Sequence, residues 1–229
     1  MTMENGRQLY NPWLHRLAIL TAGATFVLLL VGGLVTSTGS GLAVPDWPST
    51  FGYNMFLYPL SKMVGGVLYE HSHRLIGSIV GLLTIALVIW LWVKEPRKWM
   101  RWLGVLALVA VIAQGVLGGL RGVLLQSVLA IIHACFAQAF FALTVGFVLF
   151  TAREWEEEPQ QIQTAEAARL RRLGVLTTCL IYLQLIFGAV LRHTGTRLDA
   201  HLLFAAFVTI HVFMITRRIL RAPLHPPRL

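Results

Sequence analysis

Charge is what this chain has least of. Asp, Glu, Lys and Arg make up 13% of its 229 residues, about half the share of a soluble domain. That deficit, with 56% hydrophobic residues, excludes an ordinary water-soluble globule and points to an integral membrane protein. Cysteine is nearly absent. Cys135 and Cys179 both fall inside apolar runs, so a disulfide between outer loops is excluded and each reads as a small buried hydrophobe. The period-two alternation of a membrane β-barrel is also missing, which leaves helices as the spanning element. The first eleven residues carry neither a cleavable signal pattern nor an Arg/Ser-rich transit peptide, so the first apolar run reads as an uncleaved anchor.

What is present is a set of six apolar runs, at about 14–35, 71–93, 102–120, 127–150, 173–191 and 199–219. Each approaches the roughly 20 residues that a spanning helix needs. The expected fold is therefore all-α, a polytopic membrane helical bundle with six transmembrane helices. Net charge is +9, and its placement explains it. The N-terminus, the second and fourth loops and the C-terminus carry fourteen Lys and Arg, against Lys62, Arg121, Arg192 and Arg197 in the other three loops. By the positive-inside rule both termini are cytoplasmic. Nothing calls for a nucleic acid. A bacterial plasma membrane is the expected location.

The runs are organised as a repeat. The first ends in Gly32-Gly33-Leu34-Val35-Thr36-Ser37-Thr38-Gly39, the third in Gln114-Gly115-Val116-Leu117-Gly118-Gly119-Leu120-Arg121, and the fifth in Gln184-Leu185-Ile186-Phe187-Gly188-Ala189-Val190-Leu191-Arg192. After each glycine-rich end the chain turns and returns on a run with a histidine near its outer end: His73, His133 and His201. Small residues there let helices approach closely or leave room for a flat ligand. One long outer loop, 37–69, holds Pro45-Asp46-Trp47-Pro48 and several aromatics. Such loops act as lids or as headgroup-level connectors. The soluble stretch 152–172 reads as a cytoplasmic linker. It divides a first four-helix bundle, 1–151, from a partial second bundle of two helices, 173–229.

A single intramembrane histidine often only hydrogen-bonds across helices. Three at one structural position point to ligation, since ionisable groups inside a membrane are costly and functional by default, and neutral imidazole is the commonest metal ligand. Two facing histidines with glycine space between them make a bis-imidazole heme site. Zinc or copper would want a larger converging set. His73 and His133 pair within the first four spans, and His201 is left without a partner. His211 lies ten residues further along, about 15 Å deeper at 1.5 Å per residue, and reads as a polar bundle contact. His193 is a weaker second choice. His15, His71 and His225 read as interfacial or solvated.

Stretch 69–81 adds a carboxylate and a guanidinium to the first site. On a helix, Glu70, Arg74, Gly77 and Gly81 form one stripe with His73 beside it. Glu70 is a candidate for proton handling or for stabilising developing positive charge. Arg74 is a candidate to pair with Glu70 or to hold a heme propionate. The competing reading is an interfacial cap with its charges among headgroups.

Residues 32–42, Pro45-Asp46-Trp47-Pro48, Glu70-His71-Ser72-His73-Arg74, 114–121, His133, 188–195 and His201 together resemble the heme A synthases, which act in cytochrome oxidase assembly. The resemblance runs over nearly the whole chain and is more specific in the first half. It implies two pseudosymmetric four-helix bundles, each with two histidines facing a heme. The first is the reaction site for heme O and the second holds a heme b cofactor. Glu70, His73 and His133 match the first-site glutamate and histidine pair, and His201 the first histidine of the second site. The implied reaction converts a ring methyl of heme O to a formyl group by successive hydroxylations. Heme O synthase is the implied supplier, and an electron donor is required. Heme sites lie toward the outer leaflet. The family has eight spans, so the two that would bring the fourth histidine are expected to be missing here, which suggests a fragment, a short form, a homo-oligomer or a separate second-half partner. The alternative reading is a non-catalytic bis-histidine membrane cytochrome or heme-binding assembly factor.

Overall fold

The computed structural model describes residues 10–156 and 165–221. His225, Arg228 and the centre of the expected linker lie outside them. Contacts divide the chain into two units, Met1–Pro159 and Gln160–Leu229. All six expected spans form helices long and apolar enough to cross a membrane.

In the first unit, α1 (Pro12–Ser37) starts where Asn11 accepts the backbone N–H groups of Trp13 and Leu14, both at 3.1 Å, with proline at the first helical position. That combination satisfies or removes donors the helix start would otherwise leave unpaired. The second helix, α2 (Gly66–Lys94), begins after Gly65, whose φ of +56° suits a residue without Cβ. After the turn 95–97 comes α3 (Lys98–Leu124), then α4 (Ser127–Phe150) and a single turn, α5 (Arg153–Glu156). Glu95 is buried in the α2–α3 turn and receives Arg97 through two bonds, 2.7 and 2.8 Å. The bidentate pairing lets a carboxylate sit inside a tight turn.

Helices α1 to α4 close into a ring: α1 packs on α2 and α4, α2 on α3, and α3 on α4. The half of this bundle nearer the chain's start is filled. Leu14 and Ala18 of α1, Leu87 and Leu91 of α2, Met100 and Ala107 of α3 and Phe147 of α4 form its core. A Cβ added to Gly104 would come within 2.9 Å of Leu91 Cδ1, so the glycine lets α2 and α3 approach closely there. Thr21, Thr25, Thr84 and Thr144 are buried too, each donating its hydroxyl to a carbonyl three or four residues back on its own helix. These bonds satisfy the threonine hydroxyls locally, and Trp90 Nε1, packed against the same core, is buried without a partner. The opposite half holds His71, His73 and His133.

The second unit is a hairpin of α6 (Ala165–Thr194) and α7 (Leu198–Arg221), turned at Gly195 and Arg197, both at positive φ. The helix takes over 165–172, which the sequence assigns to the linker. Ala, Leu, Arg and Glu are strong helix formers, and Arg218 reaches back from α7 to Glu166 at 2.8 Å. Cys179 is exposed rather than buried.

Candidate heme site

The three repeated histidines share one local geometry. A Cβ added to Gly32 would stand 3.0 Å from His73 Cε1, one on Gly118 would stand 3.1 Å from His133 Cε1, and one on Gly188 would stand 3.1 Å from His201 Cε1. Each imidazole therefore lies edge-on in a notch that the outgoing helix leaves by having no side chain. In all three the ring Nδ1 is buried and makes no hydrogen bond of normal geometry, but the Leu28 carbonyl is turned to the His73 ring and the Gln114 carbonyl to the His133 ring. A carbonyl beside one ring nitrogen orients an imidazole and leaves the other nitrogen for a ligand. The recurrence of the notch at three equivalent places marks a built feature. The glutamines one turn before Gly118 and Gly188 repeat as well: Gln114 donates from Nε2 to the His133 carbonyl at 3.2 Å, Gln184 Nε2 lies 3.4 Å from His201 Nε2, and both Oε1 atoms are buried and unpaired. Position 28, where the first repeat has Leu28, presents only its carbonyl toward His73.

His73 and His133 lie near one another in the same unit. Each ring lies within electrostatic reach of Arg121, and His133 also lies within reach of His73. No group of three or more His, Cys, Asp or Glu converges among the described residues, and two histidines are the number that a bis-imidazole heme site uses. The notches at Gly32 and Gly118 and the two imidazoles seated in them fit that group. In the second unit the described residues carry one such notch, at His201. His211 bonds the Phe207 carbonyl of its own helix at 2.9 Å and takes no part in it.

The other polar residues of 69–81 do something different from ligation. Glu70 is 7% exposed. One of its carboxylate oxygens accepts from Arg74 at 2.8 Å and the other from the Val44 N–H at 3.0 Å. Arg74 uses all four of its terminal N–H groups: beyond Glu70 it donates to the carbonyls of Val44 (3.0 Å), Asp46 (2.7 Å) and Ser49 (3.1 Å). The pair thus clamps the start of the loop between α1 and α2 onto α2, and the terminal nitrogens that would serve a propionate are engaged. His71 corrects the sequence reading outright. It is 1% exposed, its Nδ1 meets Thr50 Oγ1 at 3.2 Å, and Tyr58 packs on it at 5.1 Å. His15, also expected at the interface, pairs with Thr151 at 3.1 Å.

Loop 38–65 is therefore a fixed cover. Asp46 accepts from Phe51 N–H (2.7 Å), Gly52 N–H (2.9 Å) and the Ser49 hydroxyl. Partial burial works to raise its pKa, but the Gly52, Ser49 and Phe51 bonds outweigh that and hold it at about 2. Tyr58 stacks with Phe51 and meets Tyr53 edge-on, and Lys62 caps the Tyr53 hydroxyl at 2.9 Å. Trp47 lies so close on Gly119 of α3 that any Cβ there would collide with its indole. Gly41 is likewise overlaid by the Arg121 guanidinium. Trp47 and Arg121 are the site residues that sequence reasoning did not single out. The available signal was the glycine-rich end of the third span with its arginine, a pattern repeated at Gly188 and Arg192.

The chain matches the COX15-CtaA family, described as cytochrome oxidase assembly protein, over residues 15–200. It is 34% identical over 190 residues to a protein of Shouchella clausii named heme A synthase, covering 81% of this chain and 61% of the relative. It is 33% identical to the heme A synthase of Exiguobacterium sibiricum (79% and 61%) and 28% identical to that of Bacillus licheniformis (82% and 61%). The chain thus spans about 61% of the length of these relatives. No solved structure matches it significantly.

Proposed function

Since the chain belongs to this family of cytochrome oxidase assembly proteins, we propose that its first unit is a heme A synthase-type site. In this reading heme O lies between His73 and His133 and has a ring methyl converted to a formyl group by successive hydroxylations. The observation that carries it is the matched pair of imidazole notches at Gly32 and Gly118, each seating a histidine ring whose Nδ1 is buried. His73 and His133 would hold and orient the macrocycle, and its iron would supply the oxidising chemistry. The loop clamped by Glu70, His71 and Arg74 shields the pocket from water, which strengthens every electrostatic interaction inside it. His201 on Gly188 supplies one side of a second site for heme b. Membrane lipid surrounds the helices, with the heme edge toward the outer leaflet and both termini cytoplasmic. Heme O synthase is the supplier, and a separate donor provides electrons.

One observation favours a second reading, a non-catalytic bis-histidine cytochrome or heme-binding assembly factor. Glu70, the carboxylate that would distinguish an enzyme, has both oxygens committed to Arg74 and Val44. Expression in a host that makes heme O, followed by extraction and identification of the bound hemes, separates the two. Heme A or its hydroxylated precursor is expected. Heme b alone, with no turnover, would overturn the enzyme reading. Full conversion by Glu70→Gln would remove the glutamate from the chemistry and leave it as a clamp.

A further inference from the structure

Arg121 is the charged side chain of the first unit that the site as described leaves without a task. It sits in the last turn of α3, half-buried, while Arg74 and Arg97 are each tied to a glutamate. Among the described residues its guanidinium has neither a carboxylate partner nor a side-chain hydrogen bond. It is nevertheless precisely confined. It lies against Gly41 of the outer loop, close enough that a Cβ there would overlap it, and it is within electrostatic reach of both His73 and His133. A guanidinium laid against a loop backbone and within electrostatic reach of two imidazoles, with no anionic partner among the described residues, suits a planar anion.

We infer that Arg121 forms a paired hydrogen bond with a carboxylate of the macrocycle held between His73 and His133, fixing which edge of the ring faces the outer loop. The inference rests on the heme reading of that pocket and deepens it. Arg74 cannot take this role with its terminal nitrogens, since three loop carbonyls and Glu70 occupy them. With the carboxylate edge held under Gly41, the opposite edge of the ring points away from the loop toward the filled half of the bundle. Arg121 is thus a positioning residue, selecting which ring substituents lie near the outer surface. A lipid phosphate could meet the same guanidinium chemistry, and the test separates the two sources.

The test is an absorption titration of the purified, detergent-solubilised chain with iron protoporphyrin IX and with its dimethyl ester. The ester keeps the ring and iron but loses both carboxylates. The parent chain is expected to bind the free acid about tenfold more tightly than the ester, the scale of one charge-assisted hydrogen bond pair. In Arg121→Gln that ratio should fall to about twofold or less, while the bis-imidazole spectrum persists. A parent chain with no preference for the free acid overturns the inference, as would be expected if the guanidinium serves a lipid phosphate. An undiminished ratio in Arg121→Gln overturns it as well. If Arg121→Gln loses the spectrum altogether, Arg121→Lys carries the test, because a point charge cannot form the paired bond and the ratio must drop severalfold; an unchanged ratio there refutes it. A parent chain that shows no bis-imidazole spectrum, or one that survives His73→Ala, instead refutes the heme reading itself.

Discussion

Gly118→Ala isolates the geometry on which the heme reading stands. The added methyl would stand 3.1 Å from His133 Cε1, whereas carbon atoms settle at about 3.5–4.0 Å. The imidazole must therefore retreat by roughly half an ångström or tilt out of its notch. Overpacking of this kind costs about 1–3 kcal/mol. Part of that is returned to the fold itself, because alanine is a better helix former than glycine by about 1 kcal/mol. The apo bundle should therefore lose little stability. Heme affinity receives no such compensation, since the displaced ring is the ligand, and it should fall by about 5-fold to 150-fold. The assay pairs thermal unfolding in detergent with an absorption titration by iron protoporphyrin IX. Gly32→Ala, at 3.0 Å from His73 Cε1, should behave alike, whereas Gly33→Ala has open space beside it and should bind as the parent does. If Gly118→Ala takes up heme with parental affinity and an unaltered low-spin spectrum, the notch is mere helix packing and the paired-imidazole argument fails.

Three further outcomes follow from the loop clamp. Arg74→Gln strips a nearly buried carboxylate of its partner and releases three loop carbonyls, so it should destabilise the first unit by about 3–5 kcal/mol and expose the loop at 44–58 to limited proteolysis. His71→Ala leaves the buried Thr50 hydroxyl unpaired at a cost of about 1–3 kcal/mol, read by thermal unfolding, but should leave the bis-imidazole spectrum unchanged because His71 faces the loop. Asp46 has a folded pKa depressed from 3.8 to about 2. Its contribution to loop closure is accordingly complete above 3.8 and lost only as pH falls toward about 2. Acid titration of proteolytic susceptibility should show that window in the parent and lose it in Asp46→Asn.

The sequence by itself determined the membrane-spanning helical class, the hairpin repeat and which histidines stand at equivalent places. All of these are periodic or compositional, and the energetics that produce them are local: apolar length for a span, glycine at the outer helix end, histidine at the next helix's start. It could not distribute the polar residues of 69–81 among their tasks. Spacing puts Glu70 and Arg74 on one stripe, but whether that stripe meets a ligand or a loop depends on where residues 44–50 fold back, more than twenty positions away in the chain. Only the tertiary structure turned Glu70, His71 and Arg74 toward that loop and left His73 facing the pocket with His133. Nor could any local pattern reveal that Arg121 has no anionic partner among the described residues, since a missing partner is a property of everything packed around a side chain. The four helices closing into a ring decide that, by bringing Gly41, His73 and His133 against the end of α3.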